Sequence, residues 1–159
     1  MQKDFRLALE YRLTAFTDAL DIKGGSMRAD KNTIIGIIEF YLTHRHILRR
    51  EFDYKSQMKT DSPVCVSKIY TPIPLNEVGH ILSCIENDIK KMSVKRQEYI
   101  RMRYQGKCTL DVICGFLDTK KSTLHRFGEE ILIDLAFSVL FDDDARKCIL
   151  NTEKSRYFL

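Results

Sequence analysis

The sequence predicts an all-α protein, and three observations predict it. Apolar residues recur three and four apart through several long stretches, which is the period of a helix with one buried face. All three prolines fall at positions 63, 72 and 74, so nothing breaks those stretches from inside. Seven glycines and no long alternation of β-branched residues leave little material for a sheet. With 44% hydrophobic residues in 159, the chain can pack a core, as one domain or as one domain with a helical extension.

Residues 1–54 read as a helical N-terminal region. Phe5, Leu9, Leu13, Phe16 and Leu20 lay one apolar stripe along a first helix over about 3–21. The polar stretch from Asp21 to Asn32, with Gly24-Gly25, has no period and reads as a loop. Asp30 or Asn32 can cap a second helix that runs to about Tyr54. Its early half is apolar on two sides, through Ile34, Ile35, Ile37, Ile38, Phe40 and Tyr41, and suits a core or an oligomer contact. Its late half turns basic at His44, Arg45, His46, Arg49 and Arg50, a face for DNA or for water. His44 and His46 are two apart and leave a helix on different sides, which argues against a shared metal.

Residues 55–74 contain every proline and no helical period, so they read as a linker, with a short hairpin through Cys65–Tyr70 left open. Pro74 suits the first turn of the helix that follows. Leu75, Val78, Leu82, Ile85, Ile89 and Met92 then alternate three and four apart. That seam lasts only about two and a half heptads, which favours packing inside a domain over a coiled-coil dimer.

The stretch TLDVICGFLDTKKSTLHR, residues 109–126, reads as a short helix, a tight turn and a second helix. Leu110, Ile113, Phe116 and Leu117 give the first helix its apolar stripe, and Cys114 is small enough for a close helix approach. Asp118-Thr119 breaks the pattern, and Leu124 and Phe127 resume it. Lys120, Lys121, Ser122, Thr123, His125 and Arg126 fall between the buried positions, offering phosphate partners and base-edge donors along the opening turns of the second helix. Ser122 is the expected cap, which leaves Thr123 either for a phosphate or as a second capping hydroxyl. Lys121, His125 and Arg126 share adjoining strips of one face, and Arg126 is the strongest base reader, since a guanidinium can grip guanine O6 and N7 together. Lys120 and Lys121 suit phosphates. Beyond Arg126, Ile131, Leu132, Leu135, Ala136, Val139 and Leu140 continue an apolar face that should close against the 75–92 helix. The unit therefore spans 75–141. Asp142–Asp144 ends it or caps a short helix over Ala145–Leu150, and 142–159 is left as a tail.

This stretch resembles the region-4 helix-turn-helix of bacterial sigma factors, whose pattern is T-L-x-E-I-A-x-x-L-G-x-S-x-S-T-V-x-R. Thr109, Leu110, Ile113, Leu117, Ser122, Thr123 and Arg126 match, with Cys114 for Ala and Leu124 for Val. Val94–Tyr104 resembles the preceding helix of that module, and the likeness covers roughly Ile85–Leu135, about a third of the chain. Asp118 departs from the pattern by replacing the Gly of the turn, where a left-handed backbone is needed. The resemblance implies that Arg96, Arg101 and Arg103 lie on a helix crossing the DNA backbone, although one such arginine often pairs internally with a carboxylate. Lys107 completes the expected DNA-binding set. The layout, a helical N-terminal half, a Pro-containing loop and this module, is similar to phage transcriptional regulators of the ArpU and RinA type. It implies a late-gene activator working on double-stranded DNA with the host RNA polymerase in the host bacterial cytoplasm.

Charge supports the same segment. From Lys90 to Arg126 there are ten Lys/Arg against three Asp/Glu, a local balance of +7, so the rest of this +4 chain carries −3. No apolar run reaches the ~18 residues of a membrane span. Five cysteines without a CxxC pair argue against a zinc site or a disulfide frame and for reduced thiols. The chain has no P-loop, no GxGxxG and no HExxH, so neither enzyme activity nor a cofactor is expected. Two alternatives stay open. One is a stand-alone sigma-like subunit, disfavoured because no region-2 sequence is evident. The other is a small terminase-like packaging protein, which would assemble as a ring.

Overall fold

The computed structural model describes residues 31–66 and 72–150, so the expected helix over 3–21 and residues 151–159 lie outside the described part. Helices account for the described regular structure: α1 Lys31–Gln57, α2 Leu75–Lys90, α3 Val94–Ile100, α4 Leu110–Leu117, α5 Lys121–Phe141 and α6 Asp143–Leu150. A π-helical turn, Arg101–Gln105, continues α3. The all-α expectation holds.

The second predicted helix is α1; the Asp30 alternative for its cap lies outside the described residues, and its far end differs from the expectation. The helix already includes Lys31, so Asn32 lies inside it and not at a cap. At the other end it runs past Tyr54 to Gln57. Lys59, in the left-handed conformation at φ 54°, lets the Thr60 N–H reach the Lys55 carbonyl at 3.1 Å and satisfy an end carbonyl. The Lys55 ammonium donates back to the carbonyls of Ser62 and Pro63, at 3.4 and 2.5 Å. These bonds fold the chain onto the helix it has just left.

The proline-rich stretch is more than a spacer. Val64 and Ile73 exchange two backbone hydrogen bonds of 2.8 Å as an antiparallel pair, and both side chains are fully buried. Two apolar anchors thus pin the stretch to the core on either side of residues 67–71. Pro74 stands at the N-cap of α2 with φ −54°, one position before the first helical residue.

One continuous core holds the described residues together. Helices α1, α2 and α5 pack against one another, α6 packs on α2 and α5, and the π turn packs on α1. Ile34, Ile37 and Ile38 of α1, Val78, Ile81, Leu82 and Ile85 of α2, and Leu135, Ala136 and Val139 of α5 are all fully buried in the same cluster. Burying a side chain of the Ile or Leu class contributes about 1.5–3 kcal/mol. The helix that the sequence set apart in the N-terminal region is therefore one wall of the core shared with α5. The seam of α2 is buried within the chain: Val78, Leu82, Ile85 and Ile89 are inside, with Leu75 and Met92 half-buried.

Close approach of α1 and α2 depends on Gly79, where a Cβ would stand 2.6 Å from the Phe52 ring. The Arg49–Glu86 pair, 2.9 Å apart, fastens the same two helices beside it. At the C-terminal side, Asp142 Oδ1 accepts from the Ala145 N–H at 2.9 Å and caps α6, whose Ala145 and Ile149 are fully buried. Of the segment read as a tail, residues 143–150 form a docked helix. No described helix is long and apolar enough to cross a membrane.

Candidate nucleic-acid interface

Local chemistry sets the α4–turn–α5 geometry. The Thr109 hydroxyl accepts from the Val112 N–H at 3.4 Å and starts α4. Asp118 ends it in the left-handed region, φ 50° and ψ 52°. Two amides, those of Asp118 and Thr119, then close on the Cys114 carbonyl, the latter at 3.1 Å. Thr119 Oγ1 donates to the Leu117 carbonyl at 3.0 Å and tightens the turn. Three residues, Asp118, Thr119 and Lys120, separate α4 from α5.

A non-glycine residue at positive φ carries strain that glycine lacks, so the turn offers a direct test. Asp118→Gly should leave stability unchanged or raise it by up to about 1 kcal/mol. Asp118→Val should lower it by about 1–3 kcal/mol, because a β-branched side chain resists positive φ. Thermal melts rank the variants; Val above Gly would mean that the turn is built otherwise.

Two expectations for this pair of helices need correction. The cap of α5 is Lys120, whose side chain makes no capping bond, and Ser122 is the second residue of the helix. The hydroxyl that the sigma pattern places at the cap is replaced by Lys120, so Ser122 lies past the end it was expected to close. Phe116 does not belong to the buried stripe of α4: it is 65% exposed, as Val112 is 55% exposed. Rotation of about 100° per residue centres the inward strip on Leu110, Ile113, Cys114 and Leu117, and Phe116 falls more than a right angle away. Ile113 is buried and the other three are half-buried against the core.

The opening turns of α5 present the expected residues together. Lys120, Lys121, Ser122, His125 and Arg126 are exposed, and Thr123 is half-buried. Leu124, between them, is fully buried, and Phe127 packs edge-on to Tyr99 with ring centroids 6.4 Å apart. Gly128 sets the approach of α3 to this helix, since a Cβ there would meet the Tyr99 hydroxyl at 2.7 Å. Lys121 lies 3.5 Å from Asp111 on α4, an ion pair in full solvent that a phosphate can displace.

The four cations expected outside α5 are placed differently. Arg96 is held inward: it donates to Glu130, lies 3.8 Å from Asp134, and sits 5.1 Å over the Phe127 ring. Arg96 is thus paired with carboxylates inside the chain. Arg101 is exposed and pairs with Glu98 at 2.6 Å, a bond that raises its pKa further. Arg103 donates to the Cys108 carbonyl at 3.1 Å, tying the π turn to the loop before α4. Lys107 is exposed in that loop at φ 51°, close enough to His44 of α1 that, after burial, its charge is the second cause lowering the pKa of that imidazole.

Sequence reasoning passed over Glu130. It stands four residues after Arg126 on the same helix, 9% exposed, and its second oxygen lies 3.4 Å from Arg126 Nε. The i,i+4 spacing of Arg126 and Glu130 was a readable signal for half of this arrangement. Lys95, exposed beside Arg96 at the start of α3, was also left out. Among the described residues, no group of three or more His, Cys, Asp and Glu could hold a metal ion. Compared with protein families, with curated proteins and with solved structures, the chain shows no match.

Proposed function

We propose that this chain is a sequence-specific double-stranded DNA-binding transcriptional regulator whose reading element is the start of α5, the second helix of a helix-turn-helix formed with α4. One observation carries the reading. A short capped helix, a left-handed turn and a second helix set Lys120, Lys121, Ser122, His125 and Arg126 outward while Leu124 is buried behind them. A helix with basic and hydroxyl side chains on its first two turns, braced from behind, suits the width and the acceptor pattern of the major groove. The cytoplasmic and phage-regulatory parts of the proposal, activation of late genes with a host RNA polymerase, rest on the sequence resemblance to sigma region 4 and to the ArpU and RinA layout.

Salt dependence tests the binding itself. With about five phosphates neutralised by Lys120, Lys121 and neighbouring cations, affinity for duplex DNA should fall roughly 500-fold between about 50 and about 200 mM salt, following a slope of about −0.9 per phosphate. Fluorescence anisotropy with a labelled duplex measures it. A flat salt profile would withdraw the proposal.

A further inference from the structure

The Glu130 carboxylate lies behind the outward face of α5 and serves two guanidiniums at once. One oxygen accepts from Arg96, which Asp134 at 3.8 Å and the Phe127 ring at 5.1 Å also hold. The other oxygen lies 3.4 Å from Arg126 Nε, while the Arg126 side chain remains 46% exposed. An arginine whose Nε faces a carboxylate keeps its two terminal nitrogens for another acceptor. Its long side chain also has fewer rotamers to lose when that acceptor arrives.

We propose that Glu130 is a specificity-determining positioning residue, which aims the guanidinium fork of Arg126 at one base edge and is itself anchored by Arg96. The inference rests on the DNA-reading role given to α5. Glu130 is the carboxylate that hydrogen-bonds Arg96, with Asp134 farther off at 3.8 Å, and its other oxygen faces Arg126 as well. Reaching Arg126 is what sets Glu130 apart. Its charge also weakens attraction to every phosphate backbone alike, so it trades overall affinity for discrimination between sequences.

Selection from a duplex pool with a randomised core tests this, with thermal melts of every variant. The wild type should enrich a motif, and Arg126→Ala should erase the preference at one base position. Glu130→Gln should weaken preference at that same position about fivefold, the low end of what one bidentate contact is worth. It should also tighten binding to unselected duplex. Combined with Arg126→Ala, it should add nothing at that position, and Asp134→Asn should leave the preference intact. Should Glu130→Gln melt below the assay temperature, Glu130→Asp keeps the charge, withdraws it by one methylene from Nε, and should weaken the same position. Glu130→Gln with unaltered base preference, or altered preference only at positions Arg126→Ala leaves alone, overturns the proposal. A wild-type chain that enriches nothing removes the DNA-reading role itself and this inference with it.

Discussion

Leu124→Ala should lower folding stability by about 2–5 kcal/mol, the cost of truncating a fully buried leucine where the surroundings relax only in part. The side chain has no exposed surface although both neighbours along the chain, Thr123 and His125, reach solvent. It fastens the first turn of α5 to the core, and no side-chain cap shares that task at Lys120. At roughly 2–4 °C per kcal/mol for a chain of this size, the melting temperature should drop by about 4–20 °C. DNA affinity should change only as far as the unfolded fraction requires, so below the transition the variant should bind nearly as the wild type does. Calorimetry and binding at two temperatures separate the effects. A Leu124→Ala protein with wild-type stability and lost binding would mean that this residue touches the ligand and that the two faces of α5 are exchanged.

For Arg126→Ala the expected result is the reverse. Specific binding should weaken by about 1–3 kcal/mol, with relaxed preference at one base position and a melting temperature close to that of the wild type. The structure adds a reason why the fold tolerates the change. Glu130 is mostly buried, and removing a sole partner from such a carboxylate would destabilise the chain, but Arg96 continues to hold it. The Arg126–Glu130 contact is long and close to solvent on the arginine side, so its loss costs little. Binding isotherms on a selected duplex and on an unrelated one give the specificity ratio, and melts give the stability. If Arg126→Ala unfolds the protein, the arginine is a structural strut. If specific binding survives intact, the base reader is elsewhere on the helix.

Much of the candidate site was legible because its signals are local. The left-handed position at Asp118 and the spacing of Leu124 and Phe127 are settled within a few residues, by backbone sterics and helical period. Phe116 was misread for a related reason: a helix of eight residues fits more than one apolar stripe, and only the packed neighbours select among them. Ser122 was misread because two adjacent hydroxyls compete for one cap, and the actual cap falls earlier, at Lys120, with the helix starting at Lys121.

The sequence by itself determined the helical class, the positions of α2, α4 and α5, and the basic character of the 90–126 stretch, since periodicity and charge are properties of consecutive residues. Only the tertiary structure decided that α1 lies in the same core as α5, that the proline-rich stretch is pinned by the Val64–Ile73 pair, and that Arg96 belongs to the interior while Arg126 keeps an exposed side chain. Those decisions turn on partners far apart in the chain: Glu130 lies 34 residues from Arg96. No local pattern says which of several arginines a single buried carboxylate will hold, because desolvation and packing choose the partner only once the helices have met.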